Sequence, residues 1–260
     1  MKNNYEETIL PGGIGILYED AHILVCRKPS GIAVQSANLR VKDMESILKL
    51  YLLEKNPQTV PYLGVVHRLD QPVEGILVFG KTQKAAAALS AQAAGGKGGK
   101  RMSKQYLAVS ECADIPPDED VPSGQTKLTD WLLRDGRTNT SRIVPQRTRG
   151  AKESRLLYQT LEIRGLRRLL LVTLLTGRHH QIRVQLAGAG MPVVGDQKYH
   201  PAPTGESLAL CAHGLSFYHP ETGERMEFSV RPQGEAFEMF KNKIEKTVKW
   251  MNYLYKSYHL

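Results

Sequence analysis

The sequence predicts an α+β fold: one domain over residues 1–260, built on a long, bent, mainly antiparallel mixed sheet flanked by helices and loops. Three observations point there. Strand-like apolar runs crowd the second half of the chain, short turn signals of hairpin length join several of them, and only a few stretches carry amphipathic helical spacing. At 260 residues the chain sits near the upper size for one hydrophobic core, and 41% hydrophobic residues suffice to form it.

HILVCRK (22–28) reads as a short, largely buried strand, closed by a turn at Pro29 and Gly31. A helix follows in DMESILKLYLLEKNP: Met44, Ile47, Leu48, Tyr51 and Leu52 form one stripe, Asp43 is placed as its N-cap, and Pro57 lies beyond its end. GILVFGK (75–81) is a second strand, after which Thr82 caps an alanine-rich helix that Gly95 and Gly96 stop. GGKGGKRMSK (95–104) reads as a cationic loop whose lysines gain little by burial, suited to ordering on a phosphate backbone. It runs into a strand at QYLAVS (105–110).

Beyond the acidic DIPPDED (114–120), strand segments dominate at 128–133, 155–163, 167–175, 208–217 and 225–230. Arg164-Gly165 and PETGE (220–224) read as hairpin connections between them. GRHHQIRVQLAGAG (177–190) interrupts the series, with Ile182, Leu186 and Ala189 at helical spacing and glycines as a stop. Arg183, one residue past Ile182, falls at the edge of that buried stripe, where a guanidinium can point into a cleft. Residues 233–260 read as a basic, aromatic helical extension.

Lys and Arg number 35 against 26 Asp and Glu, a formal charge of +9 that favours anionic partners such as nucleic acid. The cations cluster in KGGKRMSK (97–104), RDGRTNTSRIVPQRTRGAK (134–152) and RGLRR (164–168), which raises the expectation of phosphate contacts. Cys26, Cys112 and Cys211 are odd in number and widely separated, so no disulfide framework and no CxxC motif is available. The N-terminal residues carry acids and no long apolar core, and no run approaches the ~18 apolar residues of a membrane span. The expectation is a cytoplasmic, monomeric protein with no membrane partner.

Several segments carry more than composition does. LYEDAHILVCRKPSGIAV, HRLDQPVEGILVFGKT, KQYLAV, GRHHQIRVQLAGAGMPVVGDQKY and CAHGLSFYHPETGERMEFSV stand in an order and at a spacing that resembles the RluA family of RNA pseudouridine synthases, over roughly residues 16–232. The resemblance implies the pseudouridine synthase fold and an isomerase that detaches a uracil from its ribose, rotates it and rejoins it through carbon. It implies ribosomal or transfer RNA as partner, no cofactor and no metal. On it, Asp70 is the catalytic nucleophile or base, Arg183 its ion-pair partner, and Tyr106 the ring lying against the flipped base, with Ile182 on the base's other side. Arg68 helps displace the target nucleotide, and His67, Leu69, Arg178 and Gln181 complete the substrate site. The chain departs from the family pattern at Val73 and Glu74, where Thr-Ser is usual, and at His179 and Gln185. It leaves no room before residue 16 for the small S4 RNA-binding domain of some relatives, so RNA affinity is expected from the catalytic domain.

The chemistry agrees with that implication. Breaking a glycosidic bond develops positive charge on the sugar, which one carboxylate can stabilise or trap covalently. A desolvated carboxylate would take up a proton unless a cation such as a guanidinium favoured its charged form, which explains an acid in so basic a setting. Two other readings compete. A catalytically inactive RNA-binding protein on the same scaffold would be expected to lack Asp70, Tyr106 or Arg183, and all three are present. A metal-dependent hydrolase using His67, Asp70, His179, His180 and His213 is disfavoured, because adjacent histidines on a helix diverge by about 100° and neither HExxH nor CxxC occurs.

Overall fold

The computed structural model describes residues 7–37, 41–96, 98–112, 124–203 and 205–248. The chain divides into two compact units, Met1–Lys104 with Ala212–Val230, and Gln105–Cys211 with Arg231–Leu260. In chain order, β1 (Thr8–Leu10), β2 (Ile14–Glu19) and β3 (Ile23–Lys28) precede helix α1 (Met44–Lys55). Next come β4 (Gly64–Val65), β5 (Glu74–Gly80) and helix α2 (Gln83–Ala93). β6 (Ser103–Glu111), β7 (Thr126–Asp135), β8 (Thr140–Val144), β9 (Lys152–Arg164) and β10 (Arg167–Leu174) lead to helix α3 (Gln181–Gly188), and β11 (Leu210–Tyr218) and β12 (Arg225–Ser229) follow. With strands predominantly antiparallel and helices few, the fold is α+β, as the sequence predicts.

In the first unit the strands lie in the order β1-β2-β3-β5-β11, with β4 on β5 and β12 on β11. All seven residues of β5 are buried: α2 covers one of its faces, and from Gly75 to Gly80 the strand is apolar on both. Ile23, Val25, Ile76, Val78, Leu89 and Phe217 pack as one cluster there. α1 begins where the sequence places it: the Asp43 carboxylate accepts the Ser46 amide at 2.9 Å, and Met44, Leu48 and Leu52 are its buried stripe. Thr82 caps α2 through the Ala85 amide at 3.1 Å. Gly75 has φ +126, and a Cβ on it would run into the Ala212 backbone, so only glycine lets β5 approach β11 this closely.

In the second unit the order is β6-β10-β9-β7-β8. The β9–β10 hairpin turns at Arg164-Gly165 as expected, with Arg167 opposite Arg164. Its register shifts between Leu169, opposite Glu162, and Leu170, opposite Thr160; both leucines are fully buried on the two faces of β10. α3 packs against β7 and β8.

Four features differ from the sequence expectation. β2 begins among Gly12, Gly13 and Gly15, where the sequence analysis places no strand, and β8 (TSRIV) carries an arginine inside what reads as a cationic stretch. The helix expected over 177–190 starts only at Gln181, because His180 takes a left-handed conformation, φ 52. Arg183 is not at the edge of an apolar stripe, since every residue from Gln181 to Leu186 is buried. The C-terminal extension forms a short 3-10 helix at Glu235–Phe240 and is helical at 241–248, while 249–260, with Lys97 and the acidic 114–120 stretch, lie outside the described residues. Among the described residues no helix is long and apolar enough to cross a membrane.

Candidate active site

In the first unit, the loop between β4 and β5 carries His67, Arg68, Leu69 and Asp70. Arg68 is exposed, Leu69 is buried, and His67 and Asp70 are half-buried. A turn fixes the backbone at Asp70, whose carbonyl accepts the Val73 amide at 3.0 Å. The residues that close β3 hold this turn from outside. Lys28 Nζ donates to Gln71 O and to Pro29 O, both at 2.9 Å, the Gly31 amide donates to Gln71 O at 2.9 Å, and Ser30 Oγ donates to Pro72 O at 2.8 Å. Gln71 Nε2 returns a bond to Gly31 O at 2.9 Å. Asp70 is therefore presented on backbone pinned across two chain segments.

Lys28 is 0% exposed. Burial pulls its ammonium down to about 7, against the Asp70 and Glu74 carboxylates, whose charges favour the protonated form. Glu74, the residue that replaces a small hydroxyl of the family pattern, is 7% exposed and joins this charge cluster. Desolvation, reinforced by the Lys104 charge, pushes His67 down to about 3. Its imidazole is neutral at pH 7, and Nε2 accepts the Val78 amide at 3.3 Å, which leaves the proton on Nδ1. Lys104 is itself held below the ordinary lysine range by burial and by Arg101.

The second unit carries the remaining residues. Tyr106 lies buried on β6 opposite Val172 of β10. Gln181 closes the loop ahead of α3, accepting from Thr176 Oγ1 and from the Arg178 amide at 2.9 Å and donating to Arg155 O at 3.1 Å. Arg178 is exposed, with Nε on Glu153 O at 3.0 Å. Ile182, next to Gln181 in sequence, is buried, and Gln185, where the family has histidine, donates to Asp130 at 2.6 Å.

Arg183 is 4% exposed and Asp196 is 0% exposed. Arg183 Nε and Nη2 donate to the two Asp196 carboxylate oxygens, each at 2.7 Å, in a parallel fork. Asp196 Oδ1 also accepts the amides of Lys198 at 2.9 Å and Tyr199 at 3.2 Å, and the Arg183 guanidinium lies 5.2 Å over the Tyr199 ring. Burial alone would raise the Asp196 pKa; the Arg183 bonds and charge, with the two amides, hold it below the usual carboxylate range. The Tyr199 hydroxyl meets His180 Nδ1 at 2.7 Å and accepts the Ser141 amide of β8 at 2.8 Å. His179 stacks on His180 at 3.8 Å and places Nδ1 on Ser141 Oγ at 2.9 Å and Nε2 on Asn139 Oδ1 at 3.0 Å.

The sequence predicts Arg183 as a site residue and does not single out Asp196, although both stand in GRHHQIRVQLAGAGMPVVGDQKY. The local signal was an aspartate after glycine in an apolar run, two and three residues before amides it can cap. Lys28 was missed because nothing in its neighbours distinguishes a buried lysine from an exposed one. Among the described residues no group of three or more His, Cys, Asp and Glu is arranged to hold a metal ion, and the adjacent His179 and His180 make the side-chain bonds just given.

The first unit thus presents a carboxylate on a pinned turn, and the second a clamped guanidinium and a buried tyrosine on a strand. The family pattern described as RNA pseudouridylate synthase matches residues 22–188, a span that includes Asp70, Tyr106 and Arg183 but not Asp196, Lys198 or Tyr199. The chain belongs to that family, whose members are isomerases converting uridine to pseudouridine in RNA. Ribosomal large subunit pseudouridine synthase C of Escherichia coli strain K12 is 34% identical over 233 residues, covering 83% of this chain and 65% of the relative. Ribosomal large subunit pseudouridine synthase D of Xanthomonas campestris pv. campestris is 33% identical over 239 residues, covering 84% and 65%. The chain thus spans slightly under two thirds of the length of these two relatives. Among solved structures, human RNA pseudouridylate synthase domain containing 4 shares the fold with a TM-score of 0.64 at 19% identity, covering 88% of this chain and 91% of the other.

Proposed function

We propose that this chain isomerises specific uridines in structured RNA to pseudouridine, with Asp70 as nucleophile or base. The reaction breaks the bond from ribose C1′ to uracil N1, turns the freed base, and forms a bond from C1′ to C5. The proton lost from C5 is balanced by one gained at N1, so substrate and product are isomers and no co-reactant enters the balance. Asp70 assists as positive charge develops on the sugar. Tyr106 and Ile182 bracket the base, Arg68 fills the space that the flipped nucleotide leaves, and Arg183 supplies the cation of the site; His67, Leu69, Arg178 and Gln181 shape the approach of the substrate. Glu74 and the neighbouring Val73 bear on which uridine is accepted. The reading includes a monomer that acts in the cytoplasm without a metal ion.

The observation that supports this most is the family match across residues 22–188, with Asp70, Tyr106 and Arg183 all inside it. The names of the similar bacterial proteins make large-subunit ribosomal RNA the first substrate to test. The experiment is pseudouridine mapping in total RNA from cells with and without the protein, repeated with Asp70→Asn. A site that vanishes without the protein and is not restored by Asp70→Asn, while the variant still binds RNA, supports the reading. Restoration by Asp70→Asn, or an unchanged map, would leave the inactive RNA-binding scaffold as the better account.

A further inference from the structure

We infer that Asp196, with the Tyr199 ring, is a positioning residue for isomerisation: it fixes the Arg183 guanidinium in one orientation that the reaction uses. The inference rests on the function proposed above and goes beyond it, since Asp196 and Tyr199 lie outside the matched family span. The geometry carries it. An arginine has several rotatable bonds, and a buried one is ordered only by what it meets. Here Nε and Nη2 are both held at 2.7 Å by one carboxylate, and the ring of Tyr199 supports the guanidinium at 5.2 Å. That carboxylate is in turn held by two backbone amides, of Lys198 and Tyr199, so it cannot follow the arginine if the side chain swings. The chain reaches this arrangement through Gly195, φ +74, where a Cβ would run into Ser207 O and its carbonyl carbon. A surface ion pair would need none of this. A fork, a ring and a capped carboxylate together set direction as well as charge.

Asp196→Asn tests it, because the amide keeps the shape of the carboxylate. Oδ1 can still cap the two amides and accept from Nη2, but the new NH2 then faces the Nε–H donor, and the fork is broken. Measured with purified full-length protein on the RNA mapped above, the expected result is a single-turnover isomerisation rate at saturating enzyme lower by about 100-fold, the order of loss that misplacement by about an ångström produces. RNA affinity should stay within about 3-fold, as the change is buried. In an Arg183→Lys background, which already lacks the planar fork, Asp196→Asn should cost less than about 3-fold more, because two members of one unit are not additive. Tyr199→Leu, which leaves the fork intact, should slow the same step by a smaller factor and be equally non-additive with Arg183→Lys. It serves as the test if Asp196→Asn does not fold. A turnover rate within 3-fold of wild type, a loss confined to RNA affinity, or full additivity with Arg183→Lys would each overturn the inference. Wild-type protein that makes no pseudouridine on any RNA tested overturns the proposed function instead, and the inference falls with it.

Discussion

Replacing Lys28 with Met should flatten the dependence of stability on pH between about 7 and 10.5. The buried ammonium has its pKa pulled down to about 7, from an ordinary value of 10.5 that the unfolded chain retains. Below pH 7 both states hold the proton, and the folded state carries a charge that burial, net of the favourable Asp70 and Glu74 charges, disfavours by about 5 kcal/mol relative to water. As pH rises through 7 the folded protein releases that proton while the unfolded chain keeps it. The unfolded state then binds more protons, and stability climbs with pH until 10.5. Integrated from pH 7 to pH 9, this single group adds about 2 kcal/mol. Methionine fills similar volume and carries no proton, so the difference in unfolding free energy between wild type and Lys28→Met should move toward the wild type by that amount. Urea unfolding at pH 7, 8 and 9 measures it directly. A difference constant to within 0.5 kcal/mol across the series would show that Lys28 keeps an ordinary proton affinity, and the reasoning about its burial would be wrong. Turnover should fall as well, because Gln71 O loses one of the two donors that hold the turn under Asp70.

Arg68→Ala should cost more activity on a structured stem-loop than on an unstructured oligonucleotide, because only the stem-loop demands unstacking of a few kcal/mol, which a side chain filling the gap offsets. Equal losses on the two RNAs would make Arg68 a structural residue. RNA affinity should fall steeply with salt, at about 0.7 log units per log salt for each phosphate neutralised on single-stranded RNA. Changing the exposed Arg137, Arg142 and Arg147 together to Gln should lower that slope by about 2 if all three contact phosphates; filter binding from low to high salt reads it, and an unchanged slope would place the RNA elsewhere.

Much of the fold was legible because its signals are local. The Asp43 and Thr82 caps, the Arg164-Gly165 hairpin and the β11–β12 connection each depend on residues within a few positions of one another. β2 and β8 were harder, since glycines and an arginine on a strand that is partly exposed look like loop until the neighbouring strand is known. α3 shows the limit most clearly. Its pattern reads as a one-sided helix, yet it is buried all round, because Gln181, Arg183 and Gln185 each find a polar partner supplied by another segment. No periodicity within eight residues can reveal partners at Arg155, Asp196 and Asp130. The candidate site divides the same way: Asp70, Tyr106 and Arg183 sit in recognisable short motifs, whereas Lys28 and Asp196 acquire their roles only from burial and from bonds made across the chain.

An eight-residue helix is too short to persist by itself in water, so α3 owes its order to the segments that grip its ends. Those grips span long stretches of sequence, from Asn139 and Ser141 to His179, and from Asp130 to Gln185. Contacts so far apart in the chain form only after large loops have closed. During refolding, the segment bearing Arg183 should therefore be among the last to set, after the β9–β10 hairpin has paired. Recovery of the bulk strand signal would then run ahead of the recovery of turnover, and a protein that looks folded would pass through a stage at which it is not yet an enzyme.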